Sequence, residues 1–140
     1  MAYIDTSVLA AYYCPEPLSR AVQKALGKVA QPTISPLVEV ELYSEVATKV
    51  RARELEAAAG RRILALFQKH LAEGFYGLVP IDAAEYRLAR DWIGGFSSPL
   101  RAADALHLAA ASANDLTLLT ADKALARSAG HFDVACELIG

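Results

Sequence analysis

Thr117-Leu118-Leu119-Thr120-Ala121-Asp122 reads as a short apolar strand that ends by presenting a hydroxyl and a carboxylate. The start of the chain has the same form, with Met1-Ala2-Tyr3-Ile4 running into Asp5-Thr6-Ser7. Two strands far apart in sequence therefore each end in an acid flanked by Ser or Thr. In an open parallel α/β sheet, ligands bind outside the carboxyl ends of the strands where the strand order reverses, so these two acids are expected to meet at one crevice.

The segments between the two strands alternate in kind. Ser7 has the residue type of a helix cap, and a helix through Val8–Tyr13 is stopped by Pro15. A second helix, Ser19 to Leu26, ends at Gly27, and Pro32-Thr33-Ile34 is a strand. Ser35-Pro36 then reads as a cap with a first-turn proline, opening a helix from Leu37 to about Arg53. A helical hairpin from Glu54 to Glu73, broken or bent near Gly60, precedes a third strand over 77–81. Asp82 starts a helix over 83–93 that Gly94-Gly95 closes, and Ser98-Pro99 repeats the cap-and-proline signal for a helix ending at Asn114. The fourth strand covers 116–120, a short helix runs from Asp122 to Ser128 with Gly130 as its stop, and 132–138 forms an edge strand. Strand and helix alternating through short connections predict a three-layer α/β sandwich, one domain over residues 1–140.

At 140 residues the chain is long enough to bury about two-thirds of its unfolded surface in one core. A formal net charge of −2 excludes a globally basic nucleic-acid coat and confines any such contact to a local patch. The hydrophobic share of 54% hints at an oligomer or partner interface. There is no apolar run of about 18 residues and no basic-then-apolar leader, so a cytoplasmic protein without a membrane partner is expected. Cys14 and Cys136 lack metal-binding spacing and read as ordinary thiols.

Four acids have reason to converge: Asp5 and Asp122 at strand ends, and Glu41 and Asp104 in the early turns of helices. Each alone has a simpler explanation. Asp5 and Asp122 are suited to capping, Glu41 to a solvated helix face, and Asp104 to a pair with Arg101. Four carboxylates together would repel one another and protonate unless a cation offsets them. Oxygen-only ligands suit Mg²⁺ or Mn²⁺, whereas zinc would want grouped His or Cys. Such ions commonly take further ligands from phosphate, so the substrate class is a phosphate ester or diester, attacked by metal-activated water. Thr6, Ser7 and Thr120 are hydroxyls placed to orient carboxylates or waters. His107, one turn after Asp104, reads as a packed helix residue or as a support for the site. Lys49, Arg51, Arg53, Arg61 and Arg62 form the most basic stretch, suited to phosphate contacts or to plain solvation.

Ile4-Asp5-Thr6-Ser7-Val8-Leu9, Val40-Glu41-Leu42, Ala103-Asp104-Ala105-Leu106-His107-Leu108-Ala109-Ala110 and Leu119-Thr120-Ala121-Asp122 resemble, in that order, the four acidic motifs of PIN domains. The small size resembles the VapC toxins of bacterial and archaeal toxin–antitoxin pairs. The resemblance implies an α/β/α sandwich with a mainly parallel five-stranded sheet. It also implies Mg²⁺- or Mn²⁺-dependent endoribonuclease activity, homodimerisation and inhibition by a cognate antitoxin. Its motifs assign the metal-site acids to Asp5, Glu41, Asp104 and Asp122, with Ser7 and Thr120 in support. Glu39 competes with Glu41 for the second motif, and Leu42 after Glu41 favours the latter. Some PIN domains carry another acid after the last motif; here Lys123-Ala124-Leu125 follows, which leaves one or two ions open.

Two other readings stand beside this one. Ile4-Asp5-Thr6-Ser7 is loosely similar to the haloacid dehalogenase nucleophile motif, but Ser7 occupies the place of that family's second Asp. A PIN-like binding module without catalysis is the non-enzymatic alternative, disfavoured because binding gains nothing from unpaired concentrated charge.

Overall fold

Short runs of apolar residues with no polar face, such as Ala2-Tyr3-Ile4, suit strands covered on both sides, as in a parallel sheet between helices. The computed structural model describes all 140 residues. In chain order it contains β1 (Ala2–Ile4), α1 (Thr6–Tyr13), α2 (Ser19–Gly27), β2 (Pro32–Ile34), α3 (Pro36–Arg51), α4 (Ala57–Ala72), β3 (Gly77–Leu78), α5 (Ala83–Gly94), α6 (Ala102–Ala113), β4 (Thr117–Thr120), α7 (Lys123–His131) and β5 (Cys136–Leu138).

The five strands form one sheet in the order β3-β2-β1-β4-β5, and every neighbouring pair is parallel. The expected sandwich is therefore present, with a sheet that is wholly rather than mainly parallel. Every residue of β1 and β2 is buried, and of β4 only Thr117 is partly exposed. Among the helices, α1 packs with α2 and α3, α3 with α4, and α5 with α6, while α7 lies against β4 and β5. One core of 30 buried residues joins the elements from Ala2 to Ile139. No helix is long and apolar enough to cross a membrane.

Strand order runs outward from β1 to β2 and β3 on one side, then restarts with β4 on the other. The reversal thus lies between β1 and β4, whose register pairs Ile4 with Leu119. That register fixes Asp5 and Asp122 just beyond the carboxyl ends of neighbouring strands.

The helix ends differ from expectation in an instructive way. Gly60 does not break a helical hairpin; it lies inside α4, where a Cβ would meet Val50 Cγ2 at 3.0 Å and Val46 Cγ1 at 3.3 Å on α3. It permits two helices to approach closely. Gly130 likewise lies within α7. The left-handed residues after α3, α6 and α7 are Arg53, Asp115 and Asp133, with φ of 60°, 52° and 55°. Glu54, Leu116 and Val134 then donate back to the carbonyls of Lys49, Ala111 and Ala129, the bond pattern that closes a helix after a left-handed residue. Ser98-Pro99 does not cap α6, which begins at Ala102 after Arg101. The Ser98 hydroxyl is instead hydrogen-bonded to that of Ser128 at 2.8 Å.

A branched side chain at Gly60 would overpack the α3–α4 contact. Gly60→Val is expected to destabilise the protein by about 1–3 kcal/mol, lowering Tm by roughly 3–9 °C in thermal unfolding followed by circular dichroism.

Candidate active site

β1 delivers Asp5 to the reversal point, and the carboxylate is only 5% exposed. Asp5 occupies the cap position of α1, yet its side chain makes no capping bond. Its Oδ2 instead accepts from the hydroxyls of Ser7 at 2.6 Å and Thr120 at 2.8 Å. The Ser7 hydroxyl also accepts the Ala121 N–H at 3.1 Å, and that of Thr120 accepts the Asp122 N–H at 3.0 Å. The two strand ends are thereby joined through side chains as well as through the sheet.

Asp122 does cap a helix: its Oδ1 accepts from the N–H groups of Ala124 at 2.9 Å and Leu125 at 3.2 Å at the start of α7. Capping engages only that oxygen. Glu41, in the second turn of α3, follows the same scheme, because its Oε1 accepts from the Thr6 hydroxyl at 2.7 Å and from His107 Nε2. Three carboxylates thus each have one oxygen held by two protein donors and the other with none.

Asp104, in the first turn of α6, has no hydrogen-bond partner in the protein, and no ion pair joins it to Arg101. Burial, then the negative charges of Asp5 and Asp122, push its pKa up, with Glu41 adding to them and His107 opposing. Glu41 differs. Burial raises its pKa, but the His107 hydrogen bond and charge and the Thr6 hydroxyl outweigh that effect and hold it below the usual glutamate range. The two carboxyls are therefore driven in opposite directions by their surroundings.

All four acids line one open pocket of about 790 Å³. No three of the surrounding Asp, Glu, His or Cys side chains close together as a ready-made metal cage. Glu39 does not line the pocket, so the structure brings Glu41 to it and leaves Glu39 outside. Glu45, one turn beyond Glu41, also lines it, as do Glu16 and Ser44. Of the basic residues, only Lys49 reaches the pocket, where it is paired with Glu16 at 3.0 Å. Arg51, Arg53, Arg61 and Arg62 are exposed around the α3–α4 connection. Six carboxylates against one lysine leave the pocket strongly negative. Burial raises the thiol pKa of both Cys14 and Cys136, and neither lines the pocket.

In sequence His107 reads as a packed residue or as a support for the site, and nothing there marks Tyr3, which adjoins it, or Ser35, which adjoins Tyr3. The imidazole is 1% exposed, and its Nδ1 meets the Tyr3 hydroxyl at 2.7 Å. Tyr3 in turn contacts the Ser35 hydroxyl at 2.7 Å, which explains why Ser35 begins α3 without a side-chain capping bond. Glu16 gave no signal beyond its place between two prolines.

A family model described as PIN domain matches residues 2–130. No curated protein matches the chain. Among solved structures, FitAcB from Neisseria gonorrhoeae is 23% identical with a TM-score of 0.71, covering 97% of this chain and 96% of that one. VapBC2 from Rickettsia felis, bound to a DNA fragment from their promoter, is 17% identical with a TM-score of 0.74 and full coverage of both chains. VapC20 from Mycobacterium tuberculosis, described as a sarcin-ricin loop cleaving toxin, is 14% identical with a TM-score of 0.72, covering 91% of this chain and 95% of that one. At these identities the likeness is one of fold.

Removing the charge of Asp104 relieves repulsion in metal-free protein. Asp104→Asn is expected to raise Tm near neutral pH by about 2–4 °C, as measured by calorimetry in EDTA. Below about pH 3.9 an Asp is protonated in both folded and unfolded chains and imposes no penalty. As pH rises past that value, a group with a raised folded pKa ionises less readily in the folded state, and stability falls. The advantage of the Asn variant should therefore open between acidic and neutral pH. A Tm that drops at all pH values would make Asp104 a structural partner.

Proposed function

The chain belongs to the PIN domain family, and on that premise we propose that it is an Mg²⁺- or Mn²⁺-dependent endoribonuclease acting as the toxin of a toxin–antitoxin pair. One observation carries this reading. Asp5, Glu41 and Asp122 each have one oxygen held by two protein donors and a second without any, in a pocket they share with Asp104. In Asp122 this follows from capping α7, but on Asp5 and Glu41 the hydroxyl and imidazole donors take one oxygen and leave the other open to a cation in the pocket.

The donor set fits a hard divalent ion. It is made of oxygens, and Asp104, whose pKa is raised first by burial and then by the charges of Asp5 and Asp122, stands among carboxylates whose repulsion a cation would offset. The lack of a closed three-ligand cage also fits, because Mg²⁺ keeps several waters and is commonly held by one or two carboxylates plus phosphate oxygens. In this reading Asp5, Glu41, Asp104 and Asp122 hold the ion or ions. A divalent ion at such a site supplies a nucleophilic water near neutral pH and offsets charge on the phosphate and leaving oxygen. Ser7 and Thr120 keep Asp5 directed, Thr6 does the same for Glu41, and the α7 N-terminus fixes Asp122.

RNA as substrate is supported by the likeness to VapC20, described as cleaving the sarcin-ricin loop, and an antitoxin partner by the likeness to a toxin-antitoxin complex from Klebsiella pneumoniae. Lys49, Arg51, Arg53, Arg61 and Arg62 on the α3–α4 side are the residues we assign to RNA phosphates, where they would add affinity rather than sequence choice. A homodimer in the cytoplasm belongs to the same reading.

Cleavage of a mixed structured-RNA pool with Mg²⁺ or Mn²⁺ tests it, with identically prepared Asp5→Asn protein as control. Metal-dependent cuts leaving 5′-phosphate ends, lost in the variant, are expected. Cyclic phosphate ends that persist in EDTA would refute the metal mechanism. Added Mn²⁺ should also raise Tm by mass action, and should do so less in Asp104→Asn. Equal shifts would remove Asp104 from the site.

A further inference from the structure

α6 meets the acidic pocket twice. Asp104 reaches it directly, and His107, one turn further into the core, touches Glu41 from the buried side. Asp104 and His107 are three residues apart, a spacing that places both on one face of a helix. The imidazole is 1% exposed within a helix otherwise packed through Ala and Leu, so its nitrogens must find partners inside the protein.

They do so in a chain that runs Ser35, Tyr3, His107, Glu41, Thr6. A carboxylate oxygen can only accept, so Nε2 carries the proton in its bond to Glu41. The other ring nitrogen, Nδ1, is held by the Tyr3 hydroxyl, and Tyr3 by that of Ser35, whichever way those protons run. Tyr3 and Ser35 are both fully buried, and no buried side-chain polar atom is left without a partner. The ring can therefore neither flip nor rotate without orphaning a buried group.

The two donors to Glu41 fall on the same oxygen. Thr6 approaches Oε1 from α1 and His107 approaches it from α6, while Oε2 receives no protein donor. One donor would fix a distance and leave the carboxylate free to swing. Two donors from different elements also fix its plane.

We propose that His107, oriented by Tyr3, is a positioning residue that locks Glu41 with Oε1 facing the protein and Oε2 facing the pocket. This rests on the reading of the pocket as a divalent-cation site. Without the lock all four acids remain, but Glu41 is no longer held in the direction that cation binding requires. The effect falls on ion affinity and turnover before it falls on the fold. Tyr3 acts at one remove, through the orientation of the ring.

The test compares wild type with His107→Leu, His107→Gln and Tyr3→Phe, each checked for folding by thermal unfolding. Crystal structures of the metal-free proteins read the Glu41 side chain, and calorimetry reads Mn²⁺ binding. His107→Leu is expected to release Glu41 from its position and to weaken Mn²⁺ binding by about 10–100-fold. His107→Gln, which retains an N–H near the place of Nε2, should recover most of the affinity, and Tyr3→Phe should lie between. Glu41 unmoved in the Leu variant, or Leu and Gln variants equally impaired at equal stability, would overturn the proposal and leave His107 a packing residue. Absence of Mn²⁺ binding by the wild type would defeat the cation reading alone, and the position of Glu41 in the Leu variant crystal would still decide the lock.

Discussion

Mutual repulsion among the carboxylates gathered at the strand-order reversal is the constraint that the rest of this structure answers. Asp5 is nearly buried, Asp104 is half-buried without a partner, and Asp122 and Glu41 line the same pocket. The chain meets that constraint locally and incompletely. Hydroxyls, helix amides and one imidazole satisfy a single oxygen of three of the acids, and nothing satisfies Asp104. A fold selected for stability alone would have neutralised the cluster or replaced it with apolar residues.

Short strands make this arrangement possible. β1 and β4 are three and four residues long, so their carboxyl ends are brought abreast by very few backbone bonds. Fixing the ends then falls to side chains: Ser7 bridges Asp5 and Ala121, and Thr120 bridges Asp5 and Asp122. The same hydroxyls that neutralise one carboxylate oxygen also hold the sheet's register at the point where register matters most. α3 and α6 are coupled to this centre through Glu41 and His107. All four acid-bearing segments are thus cross-linked by hydrogen bonds.

Much of this was legible in the sequence because strand ends and helix phase are local signals. Asp5 and Asp122 follow apolar runs that could only be strands, and their meeting follows from the topology of parallel sheets. Glu41 could be separated from Glu39 only by helix phase, which the structure places with Glu41 toward the pocket. What sequence did not show depends on partners far away along the chain. A lone histidine among alanines reads as core, and its role emerges only with Tyr3, 104 positions earlier, and Glu41, 66 positions earlier. In sequence Gly60 reads as a break or bend and Gly130 as a stop, yet both lie inside helices, and the left-handed residues after α3, α6 and α7 are Arg53, Asp115 and Asp133. At Gly60 the missing side chain serves interhelical approach, a demand that no neighbouring residue reveals. Ser98-Pro99 carried the cap signal, yet the Ser98 hydroxyl is engaged by Ser128, thirty positions later.

The tether between Asp5 and Thr120 spans 115 positions. During synthesis, Asp5 emerges among the first residues, while Thr120 and the strand that carries it follow only after nearly all the intervening helices have been made. Closing so long a loop comes late among folding events, because the entropy of bringing its ends together is met only once the intervening layers have condensed. A chain cut before β4 carries Asp5, Glu41 and Asp104 but lacks Thr120 and Asp122, and with them a hydroxyl that fixes Asp5 and the fourth acid of the pocket.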